Sequence, residues 1–354
     1  MTAPNAVHDV ELTLARYARL TRDAMQRYLG DRAPARYLYD LVREYPSRSG
    51  KGIRPALLLA TCEAFGGSLA EGLGPAVAIE FAHNAFLVHD DIEDGSRQRR
   101  GSPTLHHLHG TPLAVNAGDA LAVLALRPLR DGTPLSSRLS RRVSDEFFEM
   151  LTHTIEGQAT ELGWRADNVI DLGVSDYLGL IAQKTCWYTT VWPLRAGALI
   201  GSAGTAPLDA LTRFGFHLGA AFQIRDDLLD LDRSTDRYGK DLLGDIREGK
   251  RTLMLIHLLG VASAEEKAAV VAFLAQAGWA ATSPTDGSAH PDLDAETILD
   301  LMEHYGSVDF AFEFGQGIAA AAYESFHEAF VDVPPSAARD FIKALVPYML
   351  ARSA

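Results

Sequence analysis

Apolar residues recur at helical intervals through almost the whole chain. Residues 8–46 predict two amphipathic helices, because Leu12, Leu14, Tyr17 and Leu20 fall at that spacing. Another helix is expected to open at Arg54 and to stop at Gly66, where glycine can end it. The further helical patterns cover residues 70–94, 112–127, 138–164, 174–202, 207–230, 251–277 and, in two or three helices, 295–352.

No segment alternates apolar and polar residues for long enough to predict a sheet. Residues 130–134 predict a loop, and the polar insert at 278–293, rich in Pro and Gly, is expected to be mobile. The length alone would allow two domains, but no linker-like composition divides the chain. We therefore predict an all-α fold: a single-domain helical bundle over residues 1–354 with a central substrate cavity.

Composition narrows the possible partners. The net charge of −13 over 354 residues argues against nucleic acid, although local cations can still bind an anionic substrate. Cys62 and Cys186 lie too far apart for a disulfide framework or a zinc motif, so buried thiols are expected. The first residues lack the pattern of a secretory signal, and no run of about 20 apolar residues predicts a membrane span. A soluble cytoplasmic protein is expected.

Two acidic stretches are the strongest chemical signal. In residues 83–104 an apolar run leads into Asp90, Asp91 and Asp94, and Arg99 and Arg100 follow. On a helix, Asp90 and Asp94 share a face and lie about 6 Å apart. Hard oxygen donors at this spacing suit Mg²⁺, and guanidinium groups suit phosphate.

A second stretch repeats the spacing at Asp226, Asp227 and Asp230, and Lys240, Lys250 and Arg251 follow it. One such motif could be a solvated helix end. Two copies, each followed by basic residues, favour a metal and phosphate site in which the motifs face each other across the bundle core.

Other polar residues are ambiguous when taken singly. Lys51 and Arg54 lie at a helix start, where cations oppose the helix dipole, so either a bound anion or a solvated turn would explain them. His83 is either a core histidine or a ligand contact. Lys184 lies within an apolar helix, where a lysine needs a partner.

With both motifs placed, the chain resembles the trans-isoprenyl diphosphate synthases of the polyprenyl synthetase family over about residues 45–260. The matching segments are GKGIRP at 50–55, HNAFLVHDDIED at 83–94, RRGSPT at 99–104, GD at 118–119, GQ at 157–158, KT at 184–185, FQIRDD at 222–227 and GKDLLGDIREGKRT at 239–252. The family's first basic motif more often reads GGKRxRP, and here Ser49 and Gly52 occupy two of those positions.

The resemblance implies an all-α homodimer that elongates an allylic diphosphate with isopentenyl diphosphate, with about three Mg²⁺ ions per site and Mn²⁺ as a substitute. Asp90, Asp94 and Asp226 would ligate the metal, and Asp91, Asp227 and Asp230 would ligate or support it. Arg99, Lys184 and Lys240 would hold the allylic diphosphate with help from Thr185 and Gln223, and Lys250 would form the outer basic wall. Lys51, Arg54, His83 and Arg100 would bind isopentenyl diphosphate.

Two related functions remain as alternatives. A class I terpene cyclase would need no isopentenyl diphosphate site, yet the residues expected to form one are present. A non-catalytic subunit of a heteromeric synthase usually loses one acidic motif, whereas both are complete here. For product length, the resemblance directs attention to Ala85 and Phe86, one helical turn before Asp90. Ala85 opens one half of the expected pocket floor and Phe86 blocks the other, unless Phe86 is only core packing. We expect a geranylgeranyl (C20) product, with farnesylgeranyl or longer and then farnesyl as alternatives.

Overall fold

The structure, a computed structural model, describes residues 4–48, 50–131, 134–232, 243–277 and 293–351. In these ranges the chain is almost entirely helical, which confirms the all-α prediction. The α-helices are α1 Pro4–Leu29, α2 Asp40–Ser47, α3 Ile53–Ala64, α4 Leu69–Glu93, α5 Leu105–His109, α6 Thr111–Asp131, α7 Ser137–Ala166, α8 Val174–Ile181, α9 Trp192–Gly201, α10 Leu208–Asp230, α11 Gly244–Arg247, α12 Leu253–Val261, α13 Ala264–Ala277, α14 Ala295–His304, α15 Ser307–Ala329 and α16 Ala337–Ala351.

In the described ranges, two segments have the wider turn of a π-helix. Ala35–Tyr39 leads directly into α2, and Ala182–Val191, called the π-helical segment below, joins α8 to α9. The helix predicted over 174–202 is therefore continuous, but its central part changes pitch. Such segments are often found at functional sites, and periodicity did not reveal this one.

Close packing of small residues brings the central helices together. A side chain at Gly197 of α9 would approach the Leu58 carbonyl of α3 to 2.5 Å. At Gly157 of α7, a Cβ atom would lie 2.3 Å from the backbone nitrogen of Lys184. Glycine at these two positions therefore allows the backbones to approach closely, and Gly157 brings α7 against the π-helical segment.

Two sequence expectations need correction, and one region lies outside the description. A two-residue hairpin pairs β1, Gln98–Arg99, with β2, Ser102–Pro103, where no strand was expected. The helix predicted over 251–277 is two helices, because Ser263 caps a new start through Glu266. The closing region has three helices. Most of the insert predicted to be mobile, residues 278–292, and Lys240 lie outside the described residues.

Among the described helices, none is both long and apolar enough to cross a membrane.

Candidate active site

A cavity of about 690 Å³ lies among α4, α7, the π-helical segment and α10. It brings together most of the residues that the sequence singled out. Those that line it are Arg54, His83, Ala85, Phe86, Asp90, Asp94, Arg99, Lys184, Thr185, Gln223, Asp226, Asp227 and Lys250. Asp91, Asp230, Arg100 and Lys51 do not border it directly.

The first acidic motif occupies the C-terminal end of α4, where the helix dipole disfavours carboxylates. Cations from distant segments offset that cost. Asp94 Oδ1 lies 2.6 Å from Arg165 Nη1, and Asp94 Oδ2 lies 2.9 Å from Lys250 Nζ. Burial opposes the charge of Asp94, but these cations and Lys184 outweigh it and hold the pKa of its carboxyl well below the usual value.

Asp91 points to a different side of α4 from Asp90 and Asp94 and is fully buried. Its Oδ2 atom accepts a hydrogen bond from the Tyr45 hydroxyl, and its Oδ1 atom accepts one from Arg99 Nε at 2.7 Å. Of the two roles expected for Asp91, metal ligand or support, this geometry fits support. Asp91 therefore holds the side chain of Arg99, which lines the cavity.

The second motif divides in a similar way. Asp226 and Asp227 border the cavity at the end of α10. Asp227 accepts hydrogen bonds from Tyr177 at 2.8 Å and from Gln223 at 2.7 Å. Its pKa is raised, mainly by burial and also by the negative charge of the nearby Asp245. Asp230 is buried and accepts a bond from the Asp245 amide at 3.0 Å, so it fastens the start of α11.

Two lysines cross from other segments to the acidic residues. Lys184 pairs with Glu161, and its Nζ lies 3.6 Å from Asp90 Oδ1. Lys250 lies 3.4 Å from Asp245 and 2.6 Å from Glu248, in addition to Asp94. Burial opposes both lysine charges, but the carboxylates outweigh burial and raise both pKa values, so both side chains are cationic at neutral pH.

A second basic group, separate from the two lysines, surrounds His83. His83 Nε2 is 3.3 Å from Arg54 Nη1 and 3.5 Å from Arg100 Nη2. Burial and the neighbouring guanidinium groups hold the pKa of His83 well below its ordinary value, so the ring is neutral. Arg54 also donates to the Tyr188 hydroxyl at 2.7 Å. Lys51 is exposed just before α3.

Part of the cavity lining is apolar. Ala85 and Phe86 contribute to it, and the Phe86 ring meets the Tyr188 ring edge-on at 5.6 Å. Thr154 and Ile155 of α7 also line the cavity. The floor expected from sequence therefore borders the cavity, but residues of two other segments contribute to it.

The donors present fit a hard cation such as Mg²⁺. Asp90, Asp94 and Asp226 offer carboxylate oxygens around one cavity. Within the described ranges, no group of three or more His, Cys, Asp or Glu side chains is close enough to hold an ion by itself. Mg²⁺ usually keeps waters and takes substrate phosphate as a ligand, so carboxylates that border a shared cavity suit it without forming a cage.

Sequence reasoning missed several residues of the site. Gln158 donates to Glu93 at 2.6 Å and to Asp90 at 3.4 Å. The sequence contains the matching GQ motif, but the motif alone assigned Gln158 no role. Glu161 and Arg165 follow on α7 at helical spacing and face the same carboxylates and lysine, which a pattern search could have found. Tyr45 and Tyr188 carried no signal, because tyrosines in apolar helices usually indicate packing.

Comparison with known proteins identifies the family. A family model described as polyprenyl synthetase matches residues 35–281. The chain belongs to the polyprenyl synthetase family. Its assignment as a prenyltransferase of the trans-prenyl diphosphate synthase type is confirmed at this level.

The chain is similar to prenyl diphosphate synthases in sequence and to one in fold. The chain is 32% identical to a short chain isoprenyl diphosphate synthase of Methanothermobacter thermautotrophicus, over 84% of this chain and 86% of the relative. It is 28% identical to a geranylfarnesyl diphosphate synthase of Natronomonas pharaonis, over 97% and 98%. The solved geranylgeranyl pyrophosphate synthetase of Pyrococcus horikoshii superposes with a TM-score of 0.82 at 31% identity, over 97% and 99%.

Proposed function

We propose that this prenyltransferase condenses isopentenyl diphosphate with an allylic diphosphate and releases diphosphate. The observation that carries the proposal is the composition of one cavity. Residues of two acidic motifs, two separate groups of cations and a set of apolar residues line it together. An anionic head and a hydrocarbon tail would both find complementary surfaces there. Dimethylallyl, geranyl and farnesyl diphosphate are the candidate allylic substrates.

The acidic residues and the nearby cations would hold the allylic diphosphate. We assign Asp90, Asp94 and Asp226 as Mg²⁺ ligands, in a site for about three ions that supply charge neutralisation to the leaving diphosphate. Arg99, Lys184 and Lys250 would bind its oxygens, and Lys240 is expected to join them. Thr185 bonds to Gln223 at 2.9 Å, and Gln223 holds Asp227, which supports the second motif.

The basic group around His83 would hold isopentenyl diphosphate. Arg54 and Arg100 supply the charge, and the neutral imidazole lies between them. Lys51, exposed before α3, would complete this subsite. Condensation needs no strong protein base, because the departing diphosphate can accept the proton lost from the new allyl group.

We propose a geranylgeranyl product, with farnesylgeranyl as the alternative. Among relatives, both geranylgeranyl and geranylfarnesyl synthases occur. Ala85 leaves space one turn before Asp90, and the Phe86 and Tyr188 rings narrow the apolar part of the cavity. We propose that a longer tail extends toward Ile155, which lines the cavity and is 58% exposed.

We further propose that the enzyme is a homodimer that joins through α6 and α7. Val123 of α6 and Phe148 of α7 are 64% and 50% exposed, and Ile155 belongs both to this apolar face and to the cavity. A second copy would cover the face and close the cavity. We expect Phe148→Glu to yield monomers by light scattering, whereas Phe312→Glu, at an exposed position of α15, should leave a dimer.

The decisive experiment supplies labelled isopentenyl diphosphate, Mg²⁺ and each allylic diphosphate in turn, and resolves the products by length. Chain extension supports the synthase. A hydrocarbon formed from one substrate alone would indicate a terpene cyclase, and the absence of turnover with a folded protein would indicate a non-catalytic subunit. A cytoplasmic location remains a prediction.

A further inference from the structure

Arg99 and Arg100 are consecutive residues that serve different sides of the site. Arg99 lines the cavity, with Nη2 3.7 Å from Asp90 Oδ2, whereas Arg100 reaches His83. Successive residues of a hairpin already point to different sides, but the main chain and both guanidinium groups still need contacts that hold them in place. Two residues at the end of the α2 segment do so.

Tyr45 of α2 controls the Arg99 side chain from behind. Its ring is 1% exposed, it does not border the cavity, and its hydroxyl donates to Asp91 Oδ2. The other oxygen of Asp91 accepts from Arg99 Nε at 2.7 Å and from Nη2. Asp91 is therefore fixed at one oxygen by tyrosine and at the other by arginine. Without the hydroxyl, a buried carboxylate oxygen loses its donor and the carboxylate has reason to rotate.

Arg48 controls the main chain of the same hairpin. Its Nη1 atom donates to the Arg99 carbonyl at 3.2 Å and its Nη2 atom to the Pro103 carbonyl at 2.7 Å. Its guanidinium lies over the Tyr45 ring, 4.4 Å from the centroid, and its own carbonyl accepts from Arg100 Nη1 at 3.1 Å. Arg48 thus touches both consecutive arginines, whereas the Tyr45 hydroxyl reaches only Arg99 of the two, through Asp91, and otherwise accepts from the Leu105 amide at 3.4 Å.

We propose that Tyr45 is a positioning residue that fixes Arg99, through Asp91, in the orientation that binds the allylic diphosphate. Arg48 holds the hairpin and so positions both Arg99 and Arg100. The inference rests on the proposed function, because it takes Arg99 as an allylic contact and Arg100 as an isopentenyl contact. It adds a role for residues that touch neither substrate.

The chain offers a matched control for the hydroxyl of Tyr45. Tyr17 is also buried, at 2% exposed, and its hydroxyl donates to a carboxylate, Glu63 Oε2, at 2.6 Å. Neither Tyr17 nor Glu63 borders the cavity. Tyr17→Phe therefore removes the same hydroxyl from a part-buried tyrosine–carboxylate pair that lies away from the cavity.

The test compares steady-state kinetics of the two variants with geranyl diphosphate and isopentenyl diphosphate. Tyr45→Phe should raise the KM for geranyl diphosphate about ten-fold and leave that for isopentenyl diphosphate within about two-fold of wild type. Tyr17→Phe should change neither KM, although both variants should lower the unfolding temperature. Arg48→Met should raise both KM values. An unchanged geranyl KM in Tyr45→Phe, or an equal rise for both substrates, overturns the proposal.

A double-mutant cycle separates action through Arg99 from general loosening. In an Arg99→Ala background, Tyr45→Phe should cause no further rise in the geranyl KM, since the residue it positions is gone. A further ten-fold rise there would contradict the proposed route. If wild-type protein extends no substrate, the proposed function fails separately. Calorimetric binding of inorganic diphosphate in the presence of Mg²⁺ then tests the positioning role. About ten-fold weaker binding in Tyr45→Phe, with unchanged binding in Tyr17→Phe, would support it. Equal affinities in these two variants would overturn it.

Discussion

The turn of the β1–β2 hairpin provides a test that separates the fold from the site. Arg100 and Gly101 have φ angles of +54° and +75°, as in the tight turns that favour Asn-Gly. A non-glycine residue in the left-handed region costs about 1–2 kcal/mol, and asparagine tolerates it better than most. Arginine is therefore a poor residue for the turn, and a binding role would explain its presence.

Arg100→Asn and Arg100→Ala both remove the bonds to the Arg48 carbonyl and to His83. Their difference in stability then reads mainly the backbone cost. We expect the Asn variant to be about 1 kcal/mol more stable than the Ala variant. In a chain of 354 residues this shifts the unfolding temperature by only about 1 °C, so the free energy of unfolding in urea is the better measurement.

The kinetics of the two variants, unlike their stabilities, should be alike. Both variants lose a charged contact worth about 1.5–3 kcal/mol, so the KM for isopentenyl diphosphate should rise about 10- to 100-fold in each, with a smaller effect on the allylic KM. Equal stability of the two variants would refute the strained turn. A KM for isopentenyl diphosphate near that of wild type would refute the assignment of Arg100 to that substrate.

Three further outcomes follow from the site and the core. Phe86→Ala should lengthen the product by at least one isoprene unit in chromatography, and an unchanged distribution with intact activity would put the floor elsewhere. Asp90→Ala and Asp226→Ala should each lower turnover with Mg²⁺ by several orders of magnitude, and near wild-type rates would contradict their role as metal ligands. Burial raises the pKa of Cys62 to about 12 and also raises that of Cys186, so at pH 8 both thiols stay protonated, and a disulfide reagent should react with them only after unfolding.

Periodicity was sufficient to predict the two helices that carry the acidic motifs, whereas the repeated motif and the family resemblance predicted that they share one cavity. Periodicity could also have separated Asp91 from Asp90, because successive helical residues point about 100° apart. The contributions of Tyr45 and Tyr188 could not be predicted in this way. Their rings pack as any core aromatic does, and only the position of one hydroxyl, set by contacts distant in sequence, gives each a role at the site.

The pairing of charges explains why the site needs the whole bundle. The carboxylates of the first motif lie where the α4 dipole is least favourable to them, so their stability depends on cations brought from elsewhere. Arg165 comes from α7, Lys184 from the π-helical segment and Lys250 from the turn after α11. Each of these cations lies against Asp90 or Asp94, which we propose as metal ligands. Entry of a metal and a diphosphate together would let each lysine exchange that carboxylate for a phosphate, while Glu161 continues to pair with Lys184, and Asp245 and Glu248 with Lys250.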